Sequence, residues 1–289
     1  AITEIPARAF AGAKIENIEF PATVSKIGEY AFADCPLLSI TLTSSLTEIG
    51  DYAFSGARKL TVANLENVLT IGDYAFYDTA LTTLELTAAK SVGAFAFAAS
   101  EQAKYTSLSI PAVETIGEFA FFGGEEEVLT LPQGVNEIGV GAFASSKQLL
   151  AITFADVNGK VVTENGSFFV ENGVLYRYLN DEKTQFAALC YPGALLGIVP
   201  EGSTKKQCKI KEGTVRVEAH SFYGSKTGVL DTVVIPYSVK AIGNAAFFAS
   251  GVKEYTFESI QAPVLETSYR ADVEEAIKTL ANVSGVGLY

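Results

Sequence analysis

The sequence predicts a β-rich solenoid of stacked coils of about 22 residues, and three observations carry the prediction. First, the hexapeptide IGDYAF stands at Ile49–Phe54 and again, unchanged, at Ile71–Phe76. Second, weaker copies begin at Ile5, Ile27, Val92, Ile116, Ile138, Val217 and Ile242. From Ile5 to Ile138 these anchors are 22, 22, 22, 21, 24 and 22 residues apart; a gap of 79 leads to Val217, and the last step is 25. Third, a short period-2 apolar stretch precedes most anchors: Ile18–Phe20, Ile40–Leu42, Leu84–Leu86, Leu108–Ile110, Leu129–Leu131 and Val233–Ile235.

Each part of a coil follows from these patterns. Two apolar residues flanking an outward one describe a half-buried strand. Pro21, Pro111, Pro132 and Pro236 end four of the strands, because proline has no N–H to give to a ladder. Stacked coil on coil, the strands are expected to form one parallel sheet with about 4.8 Å between neighbours. Opposite them, short turns or helical turns carry the Ala-Phe pairs. Phe10, Phe32, Phe54, Phe76, Phe97, Phe121, Phe143, Phe222 and Phe247 share one column and are expected to stack as a buried spine.

The period fails between Phe143 and Val217. Three Asn-Gly pairs stand there, Asn158-Gly159, Asn165-Gly166 and Asn172-Gly173, each a strong hairpin signal. Val174–Leu179 and Gln185–Cys190 read as a further hairpin around Asn180–Thr184. Near the end, Ser268–Ala281 has helical spacing through Val273, Ile277 and Leu280, and is expected to cap the stack. The chain therefore divides into coils at 1–154, a β-hairpin-rich excursion at 155–207, further coils at 208–262 and a cap at 263–289. Ala1–Ile5 align with Thr23–Ile27, inside a repeat, so more chain is expected upstream.

Composition narrows the function. The chain has no Met or Trp, 19 Phe, 48% apolar residues and a net charge of −12. That charge argues against nucleic acid, whose backbone calls for Lys and Arg clusters. No apolar run approaches the length of a membrane span. Three cysteines without a CxxC pair give neither a zinc site nor a disulfide framework, although Cys190 and Cys208 can be imagined paired.

The repeat, roughly LxxIxLPxxVxxIGxxAFxxC and plainest in IEFPATVSKIGEYAFADC at Ile18–Cys35, resembles the BspA-type or Treponema pallidum-type leucine-rich repeat. The resemblance runs from about Ile5 to Phe257, and the stretch Phe169–Pro192 resembles a hairpin insert common in that family. It departs where the final Cys survives only at Cys35 and where Val217 lacks the following Gly. The resemblance implies an exported bacterial cell-surface protein that binds host matrix or surface proteins, glycans or other bacteria.

Few residues suggest chemistry. His220, the single histidine, falls in the column of Tyr30, Tyr52, Tyr74, Phe95 and Phe119, which favours packing over a base or ligand role. Cys35 falls in a column of small residues. The acids Glu29, Asp51, Asp73 and Glu118 follow the anchor glycines; stacked carboxylates can hold Ca²⁺, but capping N–H groups of their own turns is the plainer role. Glu125-Glu126-Glu127 reads as a solvated loop. No cofactor, metal or enzyme activity is expected. The outward strand positions Glu19, Thr41, Glu85, Ser109, Thr130 and Thr153, continued by Lys209, Val234 and Thr256, form the candidate ligand-binding face. The expected function is adhesion or ligand binding; the alternatives are a spacer projecting another domain and, more remotely, a hydrolase in the excursion.

Overall fold

A computed structural model describes residues 1–99, 104–259 and 261–266 of the 289-residue chain. Its longest ladder lies at the anchors. Glu4–Ile5, Lys26–Ile27, Glu48–Ile49, Thr70–Ile71, Ser91–Val92, Thr115–Ile116 and Glu137–Ile138 form one seven-stranded parallel sheet. Anchor meets anchor throughout, as in Ile5 opposite Ile27 and Ile49 opposite Ile71.

The strands expected to form one sheet form several instead. Ser39–Ile40 pairs Val62–Ala63, Thr83–Glu85 pairs Ser107–Ser109, and Val128–Pro132 pairs Ala151–Ala155. Ile18–Phe20 contributes a single bridge, Glu19 to Thr41. Both breaks fall where successive strands are 21 residues apart, from Ala63 to Leu84 and from Leu108 to Leu129; a short coil draws its strand back from its neighbour. Where the first group ends, the Asn64 amide imitates a peptide. Its Oδ1 accepts the Leu42 N–H at 2.6 Å and its Nδ2 donates to Leu42 O at 3.1 Å.

The anchors stay in step because their glycines let backbones touch. A Cβ on Gly28 would lie 2.6 Å from Ala7 N, and one on Gly72 would lie 2.6 Å from Asp51 N. No larger residue fits against the preceding coil without moving it. After each anchor comes a left-handed residue: Tyr30, Tyr52, Tyr74, Phe95 and Phe119 have φ of 55, 57, 56, 54 and 52°. Asp34 and Asp78 repeat that conformation four residues further on, at 57 and 55°. Residues held left-handed cannot continue a right-handed helix, so of the short or helical turns expected here the coils use short turns. Among the described residues there is no helix. The turns stack by their own hydrogen bonds, Tyr30 N–H to Asp51 O at 2.9 Å and Phe32 N–H to Ala53 O at 2.7 Å.

The phenylalanines stack, buried as expected from Phe32 to Phe143, while Phe10, stacked on one side only, is 38% exposed. Centroids are 5.2 Å apart for Phe10–Phe32, 5.3 Å for Phe32–Phe54, 5.1 Å for Phe54–Phe76 and 5.2 Å for Phe76–Phe97. Phe97–Phe121 and Phe121–Phe143 follow at 5.8 Å each. Phe222 does not follow Phe143 directly as the column predicts. It stacks on Tyr191 at 5.0 Å, then on Phe247 at 4.9 Å, because the excursion returns to the stack and supplies a ring of its own.

That return has a defined topology. Phe168–Glu171, Val174–Tyr178 and Phe186–Cys190 form an antiparallel meander. Its last strand then pairs in parallel with Thr214–Val217, the next anchor strand. The excursion thus shares one sheet with the later anchors, Ala241–Ile242 and Val264–Leu265. The turns bypass it: Ser145 N–H donates to Tyr223 O at 3.1 Å, as adjacent coils would. In the last described coil, Tyr255, Phe257 and Leu265 stand in register with buried Val233, Ile235 and Ile242, yet are 40, 46 and 64% exposed. The helix expected over Ser268–Ala281 lies outside the described residues.

Candidate functional site

The six outward strand residues come together as three neighbouring pairs on one face. Glu19 bridges Thr41, Glu85 stands opposite Ser109, and Thr130 stands opposite Thr153 with their hydroxyls 3.4 Å apart. Between these positions Ile40, Leu84, Leu129 and Ile152 point into the core. Period-2 alternation therefore separates a buried side from a polar one, and Thr suits the outward positions as a β-branched residue.

The face does not continue unchanged into the later coils. Val234, expected outward, is buried, because Lys209 reaches across it to Glu258 at 2.7 Å. Lys205 makes the same kind of reach to Glu254, at 2.5 Å.

At its far end the face meets a wall. The turn joining Ala151–Ala155 to Val161–Val162 is tied by Asp156, whose Oδ1 accepts the N–H groups of Asn158 at 2.8 Å and Lys160 at 2.9 Å. Beside it lies a groove of about 460 Å³ lined by Ser109, Ile110, Thr130, Leu131 and Val157. Val157 stands 89% exposed at the lip. Sequence reasoning missed this wall; the signal was Asn158-Gly159 directly after the strand that carries Thr153.

The remaining candidates are structural. His220 is buried with its ring edge-on to Phe119 at 4.9 Å, and burial lowers its pKa to about 4, so the imidazole is neutral at pH 7. All three cysteines are buried free thiols, so Cys190 and Cys208 are not paired. Burial pushes both of those thiols up to about 12, far from a nucleophile's range. Cys35 Sγ donates to Phe10 O at 3.0 Å.

Two acid expectations change. Asp51 and Asp73 cap the next coil rather than their own: Asp51 Oδ1 accepts the Asp73 N–H at 2.8 Å, and Asp73 Oδ1 the Ala94 N–H at 2.7 Å. The coil spacing places the following backbone N–H nearer than their own turn's. Glu126, expected in solvent, is 4% exposed, and neither carboxylate oxygen has a hydrogen-bond partner among the described residues. It folds back toward Gly124, where a Cβ would run into both the Glu126 carboxylate and the Tyr105 hydroxyl. Burial raises its pKa to about 7. Among the described residues no cluster of three or more His, Cys, Asp or Glu converges as a metal site, and no helix is long and apolar enough to cross a membrane.

Parallel coils of 21 to 25 residues, a strand face and a glycine-locked turn column define a leucine-rich repeat solenoid. The model of the BspA-type leucine-rich repeat region matches residues 1–104, 90–175 and 201–269, in six copies, and the chain belongs to that family. A leucine-rich cell surface protein from Faecalibacterium prausnitzii A2-165 has a similar structure, with a TM-score of 0.53 and 18% identity over 99% of this chain and 92% of that one. A leucine-rich repeat protein from Eubacterium ventriosum (TM-score 0.46, 21% identity) covers 82% of this chain, which spans 61% of it. The pneumococcal vaccine antigen PcpA (TM-score 0.42, 22% identity) covers 90% of this chain, which spans 50% of it. No curated protein matches the sequence.

Proposed function

We propose that the chain is a non-enzymatic binding module of a bacterial cell surface, and that its N-terminal strand face docks a protein or glycan partner. The observation that carries this reading is the gathering of Glu19, Thr41, Glu85, Ser109, Thr130 and Thr153 onto one side, ended by the wall at Asp156. A broad row of hydroxyls and carboxylates fits a macromolecular partner better than a small molecule enclosed in a pocket. Membership of the BspA-type family and the cell-surface name of the Faecalibacterium prausnitzii relative support the location. The acids on the face favour a partner with basic groups opposite them.

The test is binding of the purified chain to immobilised matrix proteins, epithelial and bacterial surface proteins, and glycans, at two salt concentrations. Saturable, salt-sensitive binding is expected, and the double substitution Glu19→Lys with Glu85→Lys is expected to weaken it about tenfold at low salt. Binding that this variant leaves untouched would move the site off the face. Silence across the panel would favour the spacer reading, in which the coils only set a distance.

A further inference from the structure

We infer that Asn158 is a site of spontaneous covalent modification, the one Asn-Gly pair of the excursion that the fold leaves reactive. In this chemistry the backbone nitrogen of the following glycine attacks the asparagine Cγ. The new N–Cγ bond closes a succinimide; the Cγ–Nδ2 bond breaks, and Nδ2 leaves as ammonia with the proton from the backbone N–H. Water then opens the ring at either carbonyl, giving aspartate or isoaspartate. Glycine in the second position is the least hindered nucleophile, so all three pairs qualify by sequence. Their surroundings separate them.

Asn165 is clamped at both ends of its amide. Nδ2 donates to Val135 O at 2.6 Å and Gln133 O at 3.3 Å, while Oδ1 accepts the N–H groups of Phe168 at 2.9 Å and Ser167 at 3.2 Å. Attack requires all four bonds to open. Asn172 and Gly173 form the two-residue turn between paired Glu171 and Val174, at φ of 51 and 80°. The Leu195 side chain lies where a Cβ on Gly173 would project, so this backbone cannot swing toward the Asn172 side chain without disturbing two strands.

Asn158 donates its backbone N–H to Asp156 Oδ1 at 2.8 Å, but its side-chain amide carries no such restraint. It is exposed, its side chain makes no hydrogen bond among the described residues, and Gly159 has open space around it. The attacking nitrogen is held by one exposed bond, Gly159 N–H to Asp156 O at 2.9 Å. The product places a second carboxylate beside Asp156, whose own carboxylate ties the turn, and isoaspartate also adds a methylene to its backbone. The modification therefore alters the wall of the strand-face groove.

The test is to age the intact folded chain at mildly alkaline pH beside a chain held in denaturant. Peptide mapping by mass spectrometry follows the amide-to-acid conversion at each pair, and an isoaspartate-specific methylation assay identifies the product. In the folded chain Asn158 is expected to convert roughly tenfold or more faster than Asn165 and Asn172, which react only from locally opened states. In denaturant the three rates should converge. Asn158→Gln should abolish the early isoaspartate signal and leave the slower sites unchanged. Equal rates in the folded chain, or an Asn158 that survives as long as Asn165, would overturn the inference.

Discussion

The position after the anchor is glycine in every coil from Gly28 to Gly139, but in the coil that follows the excursion it is Glu218. In the first region the close approach forbids a side chain, and Gly28 and Gly72 fit because they have none. In the second, the preceding strand belongs to the excursion, and the Glu218 side chain has room to accept from Arg177 at 3.0 Å and Arg216 at 2.7 Å. Arg216 also grips Glu266 through two bonds of 2.6 Å, which hold its own pKa well above and the Glu266 pKa below their usual values. Lys211–Glu171 likewise ties the excursion to the coil that follows it. Ion pairs also link successive coils of the first region, as in Lys26–Glu48 and Lys90–Glu114, but there they join residues one period apart, whereas Arg177–Glu218 and Arg216–Glu266 span 41 and 50 residues.

The comparison can be broken most forcefully at the spine. Phe54→Ala should cost about 3–5 kcal/mol in chemical denaturation, since the ring is fully buried between two others. Phe247→Ala, at the half-covered end of the second stack, should cost roughly half as much. Equal losses would mean the two stacks are equally packed.

Next comes the buried Glu126 at the border of the regions. Its folded pKa of about 7 exceeds the ordinary 4.5, so the folded state holds the proton more tightly. At pH 4 both states are protonated and nothing is lost. As pH rises from about 4.5 to about 7 stability falls, and above that the loss is complete, at roughly 3 kcal/mol. Glu126→Gln should therefore stabilise the chain at pH 8 and change little at pH 4. Parallel pH–stability curves for the two proteins would refute the assignment.

A smaller contrast tests the anchor position itself. Gly117→Ala should lose about 1–3 kcal/mol by overpacking, because its Cβ would sit 2.5 Å from Gly93 C, and salt should not change that loss. Glu218→Ala should lose about 1.5–3 kcal/mol by leaving Arg177 and the Nε of Arg216 without their acceptor, and added salt should soften it. The smallest effect belongs to Arg8, whose guanidinium lies 4.7 Å from the Tyr30 ring centre at the end of the aromatic ladder. Arg8→Ala should cost about 0.5–1 kcal/mol in thermal melts.

Part of the candidate site was legible beforehand. Glu19, Thr41, Glu85, Ser109, Thr130 and Thr153 share one face because alternation within a strand needs only local sequence. The wall at Asp156 and the loss of Val234 from the face depend on segments far apart in sequence, the excursion turn in one case and Lys209 with Glu258 in the other. Glu126 misled for a related reason: three consecutive acids describe a solvated loop unless a neighbouring glycine leaves a hole, and Gly124 leaves one.

By itself the sequence determined the coil, its length, its inward residues and its phenylalanine column, since a period of 22 repeated in one chain records which positions face one another. Only the tertiary structure decided that the unbroken ladder runs through the anchors. Backbone contact at glycine holds those strands in step, and the period-2 stretches have no equivalent lock. It also decided how the excursion rejoins the stack, with Tyr191 beneath Phe222 and Phe186–Cys190 beside the next anchor strand. That junction occurs once in the chain, so no second copy exists from which its pairing could be read.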